Sequence, residues 1–201
     1  MNKHALFPTA ALTAGLVLSG CATPGTSGSA SPSADGRSHH ASQSPDAEAS
    51  HNSADTMFAQ MMIPHHEQAV VMSSMMLDKE DLDPRVTELA REIKAAQGPE
   101  IQQMEDWLEA WNEPRAPLEG HSMTMDGMLG EDQLAALEQA RGPEAARLFL
   151  TGMIAHHEGA VEMAEEEIAA GKDAGAVELA ETIAATQNAE IARMQALLQD
   201  P

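Results

Sequence analysis

The sequence predicts an all-α fold, a four-helix bundle made from a duplicated helical hairpin with a short extra helix between the copies. The first observation is a repeat, because FAQMMIPHHEQAVVM at 58–72 returns as FLTGMIAHHEGAVEM at 149–163. The second is that matching blocks follow both copies, at 88–104 and 178–194. The third is composition, since the chain has no Tyr and is rich in residues that favour helices. Two hairpins that each have an apolar face bury those faces against each other.

The first predicted helix carries a one-sided apolar stripe. Its members are spaced by four and three residues, and they are Phe58, Met62, His65, Ala69, Met72 and Met76. Ser53 or Asp55 can cap its start, and the helix is predicted to end near Leu77. Pro64 predicts a kink and not a break, because the stripe continues on both sides of it.

The other helix bounds follow from proline, glycine and capping residues. Asp83 and Pro84 form an N-cap and first-turn pair that begins the second helix, which is predicted to end after Trp111. The Gly98-Pro99 pair within it predicts a second kink. The later helices are predicted at about 131–140, 142–170 and 175–199, where Gly142-Pro143 gives a start and Gly171 an end.

The amino terminus predicts export. A lysine near the start precedes a short apolar run at 10–18, which is too short to span a bilayer. The run ends in Leu-Ser-Gly-Cys, which resembles the lipobox of bacterial lipoproteins. That resemblance implies a signal peptide at 1–20, cleavage before Cys21 and lipid on Cys21. The protein would then be anchored in the cell envelope, at the outer face of the plasma membrane or in the periplasm. The alternative is an ordinary secretion signal with an incidental cysteine.

Composition divides the mature chain into a tether and a folded domain. Residues 21–53 are rich in Ser, Ala, Gly, Pro and His and are predicted to be a disordered tether. The bundle domain is predicted at 54–201, with repeat one at 54–112, a loop at 113–130 and repeat two at 131–201. The formal net charge of −21 argues against binding to nucleic acid or to anionic lipid. Membrane contact is therefore predicted through the N-terminal lipid only.

Each copy of the repeat places a histidine pair among methionines. The candidate metal ligands are His65, His66, Met62 and Met72 in the first copy and His156, His157, Met153 and Met163 in the second. Thioether sulfur favours soft ions such as Cu(I), and imidazole binds copper in both oxidation states. Copper, with Cu(I) favoured, is the predicted cofactor, and folding is not expected to require it. The competing interpretation is that these residues are ordinary core, since methionine fills irregular cores well.

The loop between the repeats predicts a further cluster of soft ligands. His121, Met123 and Met125 alternate in HSMTMDGM, so an extended segment points them the same way. On the partner helices four polar residues fall on or near the inner faces, namely Gln97, Glu100, Gln187 and Glu190. They are predicted either to accept the second ring N–H of a ligating histidine or to lie at a rim facing water.

Enzyme functions are not supported. HHEQA and HHEGA lack the second histidine of HExxH, the predicted helices carry no Glu-x-x-His for a di-iron site, and no nucleophile has a recognisable setting. We therefore expect a non-catalytic protein that sequesters or shuttles copper. Two alternatives stay open. One is a helical protein-interaction module without metal, whose partner is unknown, and the other is a Zn(II) or Ni(II) buffer that uses the histidines alone.

The doubled motif also resembles a known family. MIPHHEQAVVM and MIAHHEGAVEM, with their downstream ELA…EI..M blocks, resemble the "domain of unknown function 305" proteins from residue 55 to about 198. The resemblance implies a ferritin-like helical bundle in a secreted or lipid-anchored bacterial protein, and some members are implicated in copper binding and tolerance. Ala155, which replaces Pro64 in the second copy, and Gly98-Pro99 depart slightly from the pattern.

Overall fold

The computed structural model describes residues 50–116 and 125–200, and within these ranges it contains five helices and no strand. The helices are α1 (Ser53–Leu77), α2 (Pro84–Trp111), α3 (Glu131–Gln139), α4 (Gly142–Ala170) and α5 (Ala174–Gln199). The predicted all-α bundle with a short extra helix is confirmed. The signal peptide, most of the tether, His121 and Met123 lie outside the described residues. In the part of the chain that is described, no helix has the length and apolarity needed to cross a bilayer.

The bundle is organised around the contact between α1 and α4, the two helices with histidine pairs. α1 packs along α2, α4 packs along α5, and α1 and α4 join the two hairpins. Residues 58–63 of α1 pack with residues 160–164 of α4, and residues 69–76 pack with 145–153. The two central helices therefore run antiparallel, as expected for two equivalent hairpins packed face to face.

The apolar core is split into two clusters. The first cluster contains the later half of α1 and the earlier half of α4, with Met72, Met76, Phe149 and Met153 among its members. The second contains the opposite halves, including Phe58, Met62 and Ala160. Between them, on both central helices, lie the histidine pairs. The duplicated sequence thus places both histidine pairs at the same level of the bundle, between the two apolar clusters.

The start of α1 is capped differently from the sequence prediction. Asn52, and neither Ser53 nor Asp55, is the N-cap, and its side-chain oxygen accepts from the N–H of Ala54 at 2.7 Å. Asp55 completes the capping box by accepting from the Asn52 N–H at 2.6 Å. Asn and Ser cap helices about equally well, so residue type alone could not separate them.

The remaining boundaries agree with the prediction. Asp83 caps α2 by accepting from the N–H of Arg85 at 2.7 Å, and α4 begins at Gly142. Helices α1 and α2 are continuous through Pro64 and Pro99, so neither proline breaks its helix. Both histidine-bearing segments are therefore presented on unbroken helices.

Candidate metal centre

Four histidines form one buried level in the middle of the bundle, which we call the histidine layer. His65, His66 and His157 are 0% exposed and His156 is 1% exposed. The inward position predicted for His65 and His156 is confirmed, and their ring centroids lie 3.7 Å apart. His66 and His157, expected on the flanks of the stripe, are equally buried because α2 and α5 cover those flanks.

The outer histidines are held by glutamates of the partner helices. His66 Nε2 lies 2.8 Å from Glu100 Oε2, and His157 Nε2 lies 2.7 Å from Glu190 Oε2. A carboxylate accepts, so each Nε2 carries the proton, and in the neutral ring Nδ1 keeps its lone pair. This pairing of histidine with carboxylate is the usual support for a ligating imidazole. The contact that the sequence predicts is present in both repeats, while its role beside a metal stays a prediction.

The layer contains several buried ring nitrogens without a hydrogen-bond partner among the described residues. They are Nδ1 of His65, His66, His156 and His157, together with Nε2 of His156. A buried polar atom without a partner typically costs about 1–3 kcal/mol, so such atoms are rare unless they have another use. A neutral imidazole has one N–H and one lone pair, so the four rings together offer at most four lone pairs as metal donors. The chemistry of these nitrogens is therefore that of metal donors.

The donor set bears on which metal would fit. Across residues 50–116 and 125–200, no three His, Cys, Asp or Glu side chains already converge on a single metal position. A structural zinc site needs four such ligands in a tetrahedron. A soft monovalent ion also accepts thioether sulfur, and buried Met62 and Met153 lie three residues before His65 and His156. The donor types at and near the layer are therefore imidazole nitrogen and thioether sulfur.

Burial keeps the inner rings neutral. Desolvation, with a further contribution from neighbouring His66, lowers the pKa of His65 to about 3. Desolvation and the nearby His65 lower the pKa of His156 to about 2. Both rings are therefore unprotonated at neutral pH, which is the form that binds metal.

A short segment between the repeats, Met125–Gly130, closes over the layer, and we call it the strap. The carbonyl oxygen of Asp126 lies 3.3 Å from His65 Nε2. The Gln68 side chain holds the strap to α1 through the N–H of Leu129 at 2.8 Å and its carbonyl at 3.0 Å. Two glycines let it approach α4. Gly127 has φ +82°, and a Cβ there would collide with the carbonyl of Ala155, while a Cβ at Gly159 would collide with the carbonyl of Asp126.

The methionines predicted as ligands divide into two groups. Met62, Met72 and Met153 are fully buried within the apolar clusters on either side of the layer. Met125 and Met163 are only partly buried. The first group is in the position that core methionines would occupy, so its ligand role stays a prediction. The second group borders an open cavity.

The two amides predicted beside the histidines accept no hydrogen bond from them. Gln97 and Gln187 are each 3% exposed, which excludes a rim position. Their Oε1 atoms have no hydrogen-bond partner within the described ranges, so the expected bond to a histidine is absent. The sequence placed them correctly on the inner face. They lie three residues before Glu100 and Glu190, and it is these two glutamates that reach the rings.

Sequence reasoning missed a second buried polar group, at the far end of the second cluster. Glu167 is 1% exposed, and burial, followed by the neighbouring carboxyl of Asp55, raises its pKa to about 8. Asp55 accepts from the N–H of Lys172 at 2.9 Å and of Asp173 at 2.8 Å, which joins the start of α1 to the α4–α5 turn. The available signal was a carboxylate at the position of repeat two that corresponds to Met76 in the stripe of repeat one.

Comparison with known proteins identifies relatives of the whole described domain. The family described as "Domain of unknown function (DUF305)" matches residues 55–198. Among solved structures, a candidate secreted DUF305 protein from Streptomyces coelicolor is 32% identical, with a TM-score of 0.69 over 73% of this chain and 91% of that one. A DUF305 fragment from Deinococcus radiodurans is also 32% identical, with a TM-score of 0.67 over 75% and 98%.

A third similar structure is that of a metal-bound protein. CopM in its Cu(I)-bound form is 33% identical, with a TM-score of 0.61 over 73% of this chain and 96% of that one. CopM structures with Cu(II) and with silver are similar as well. A comparison with curated protein sequences gives no match.

Proposed function

The chain belongs to the DUF305 family, and from this premise we propose that it binds copper, as Cu(I), in the histidine layer and sequesters or shuttles it without catalysis. The observation that carries the proposal is the set of buried ring nitrogens that have no hydrogen-bond partner in the described structure. The similarity to copper-bound and silver-bound CopM supports the same ion class. Copper here is the cargo of the protein, and the bundle is expected to fold without it.

The residues in and around the layer would have three roles in binding the ion. His65, His66, His156 and His157 supply neutral nitrogen donors, and Glu100 and Glu190 orient the outer rings. Met62 and Met153 offer thioethers at the edges of the layer. The apolar clusters on both sides exclude water, which disfavours exchange and oxidation of a bound Cu(I) ion.

The test replaces all four layer histidines with Gln and compares Cu(I) and Zn(II) loading with the parent. Loss of the Cu(I) equivalent held by the layer, with retained helix content, is expected, because the layer contributes little apolar burial. His51→Gln is the matched control, since His51 stacks on Trp111 outside the layer, with ring centroids 4.6 Å apart. Unchanged copper uptake with a large fall in melting temperature would favour the interaction module. Preferential Zn(II) binding would favour the zinc or nickel buffer.

We also propose that the protein acts outside the cytoplasm as a lipoprotein. The Leu-Ser-Gly-Cys sequence at 18–21 supports this location, as does the candidate secreted relative from Streptomyces coelicolor. Cys21→Ala is expected to move the protein from the membrane fraction to the soluble envelope or medium fraction. A variant that stays with the membrane would reject the lipid anchor while leaving the metal site untouched.

A further inference from the structure

A cavity next to the histidine layer is lined by methionines that the layer does not use. Its volume is about 580 Å³, and four methionines border it, Met57 and Met61 from α1, Met163 from α4 and Met125 from the strap. Three separate elements thus bring thioethers to one place. The chain has 14 methionines in 201 residues, so four around a single cavity is a strong local enrichment.

Methionine supplies most of the large apolar side chains that line this cavity. Among the residues that the structure describes, Phe58 is the only other large apolar side chain at this cavity, and its lining includes no Leu, Ile or Val. These methionines also differ from the core ones in burial. Met57 is 41% exposed, whereas Met62, Met72, Met76 and Met153 are 0% exposed. Filling a core gap does not account for side chains that keep open access to solvent.

The charge around the cavity suits a cation. Glu162 and Glu166 are exposed and line it, as does Asp126. Carboxylates raise the local concentration of cations, while thioethers select a soft one and bind Zn(II) or Ni(II) poorly. The cavity also adjoins the layer directly, because Asp126 lines it and its carbonyl contacts His65 Nε2 at 3.3 Å.

We propose that Met57, Met61, Met125 and Met163 form a second metal site, which binds a soft monovalent ion, Cu(I) or Ag(I), through sulfur and is independent of the histidine layer. The site is open, whereas the layer is buried, so an ion can enter it without any movement of the bundle core. Because the site lies against the strap, an ion bound there would be next to the histidine layer and could pass from the site into the layer.

The test counts Ag(I) equivalents bound by the full chain, with Cys21→Ala in every sample so that no thiol competes. M57L/M61L/M163L keeps bulk and apolarity but removes three thioethers. We expect this variant to lose one Ag(I) equivalent and to retain the histidine-bound one. Met75→Leu is the matched control, because Met75 is another partly buried methionine of α1 that lies outside the cavity, and it should bind as many equivalents as the parent.

A second arm separates this site from the proposed function. The four-histidine Gln variant should still bind one equivalent, and X-ray absorption of its bound Cu(I) should show sulfur ligands. Unchanged silver stoichiometry and affinity in M57L/M61L/M163L would overturn the site. Loss of every equivalent in that variant, with circular dichroism showing an intact fold, would also overturn it, because the methionines would then belong to the histidine site.

Discussion

The two repeats support their histidine pairs in different ways. The outer histidines are equivalent, since His66 and His157 each contact a glutamate of the partner helix, at 2.8 and 2.7 Å. The inner histidines are not, because His65 contacts the strap through Asp126, whereas neither ring nitrogen of His156 has a partner in the described structure. The duplicated sequence therefore makes the contacts within the two hairpins equivalent. The strap between the hairpins contacts only one of the inner histidines, so the two halves of the layer differ.

The largest effect should come from moving the strap. Gly127→Ala and Gly159→Ala each introduce a Cβ that would collide with a backbone carbonyl, and Gly127 also has positive φ. We expect each to lower the free energy of unfolding by about 2–3 kcal/mol, as overpacking typically does. Urea denaturation measures this. A loss below about 0.5 kcal/mol, the range of ordinary surface substitutions, would mean that the strap is not tightly held.

The next effect is a pH dependence confined to repeat two. Because the pKa of Glu167 is raised from 4.5 to about 8, the folded state keeps a proton that the unfolded state releases. Glu167 therefore stabilises the fold below about pH 4.5, and this contribution is lost as pH rises towards 8. Its neighbours Asp55 and Asp173 act in the same direction on its pKa.

Glu167→Met, which installs the residue of repeat one, should remove this part of the pH dependence. Melting temperatures of variant and parent, measured from pH 4 to 9, give the comparison, with the exposed neighbour Glu166→Gln as control. The lowered pKa values of His65 and His156 destabilise the fold towards acid in both proteins. The difference between the two curves therefore reports Glu167 together with Asp55, whose pKa Glu167 helps to lower. Parallel curves would contradict the raised pKa.

A smaller effect is expected from the glutamates that orient the outer histidines, and it should be equal in the two repeats. Glu100→Gln and Glu190→Gln should each weaken Cu(I) binding by about tenfold, the lower end of what the loss of such a partner costs. Glu67→Gln and Glu158→Gln are matched controls, because these exposed glutamates follow His66 and His157 directly. A competition titration with a Cu(I) chelator measures all four. Effects that differ widely between Glu100 and Glu190 would break the equivalence of the outer histidines.

The smallest effect concerns a position where the repeats differ in sequence. Gly98 stands in α2 where α5 has Asn188, and apart from its chain neighbours a Cβ at Gly98 would meet nothing within 4 Å. Pro99 follows directly and crowds a preceding Cβ in a helix, so Gly98→Ala should stabilise the bundle by less than the roughly 0.5–1 kcal/mol that helix propensity alone would give. It also serves as the control for the strap glycines, since it makes the same chemical change without a collision with another segment. A destabilised variant would show that the backbone there needs glycine.

The helices and the inward histidines were predictable because their signals are local. Steps of three and four place Phe58, Met62, His65 and Met72 on one face whatever surrounds them, and Asp83-Pro84 marks a helix start without reference to the rest of the chain. The repeat added the equivalence of His65 and His156. Glu100 and Glu190 followed from the inner face of the partner helices.

What the sequence did not predict depends on contacts between distant residues. Asp126 reaches His65 only because Gln68, Gly127 and Gly159 together hold the strap against two helices. Asn52 was missed as a cap because Ser53 and Asp55 are equally suitable by residue type. Met57 and Met61 gain significance only once Met163 and Met125 are seen across the same cavity, since alone they are two methionines beside an apolar stripe.

The histidine layer separates two apolar clusters that would otherwise form one core, and this bears on how long an empty molecule survives. An ion that binds only the folded state stabilises it by about 2.7 kcal/mol when its free concentration is 100 times Kd. Loaded molecules would then open far less often than empty ones and would be cut less often by envelope proteases. On the proposed function, the abundance of the protein would follow the copper supply through its rate of turnover, without any change in its synthesis.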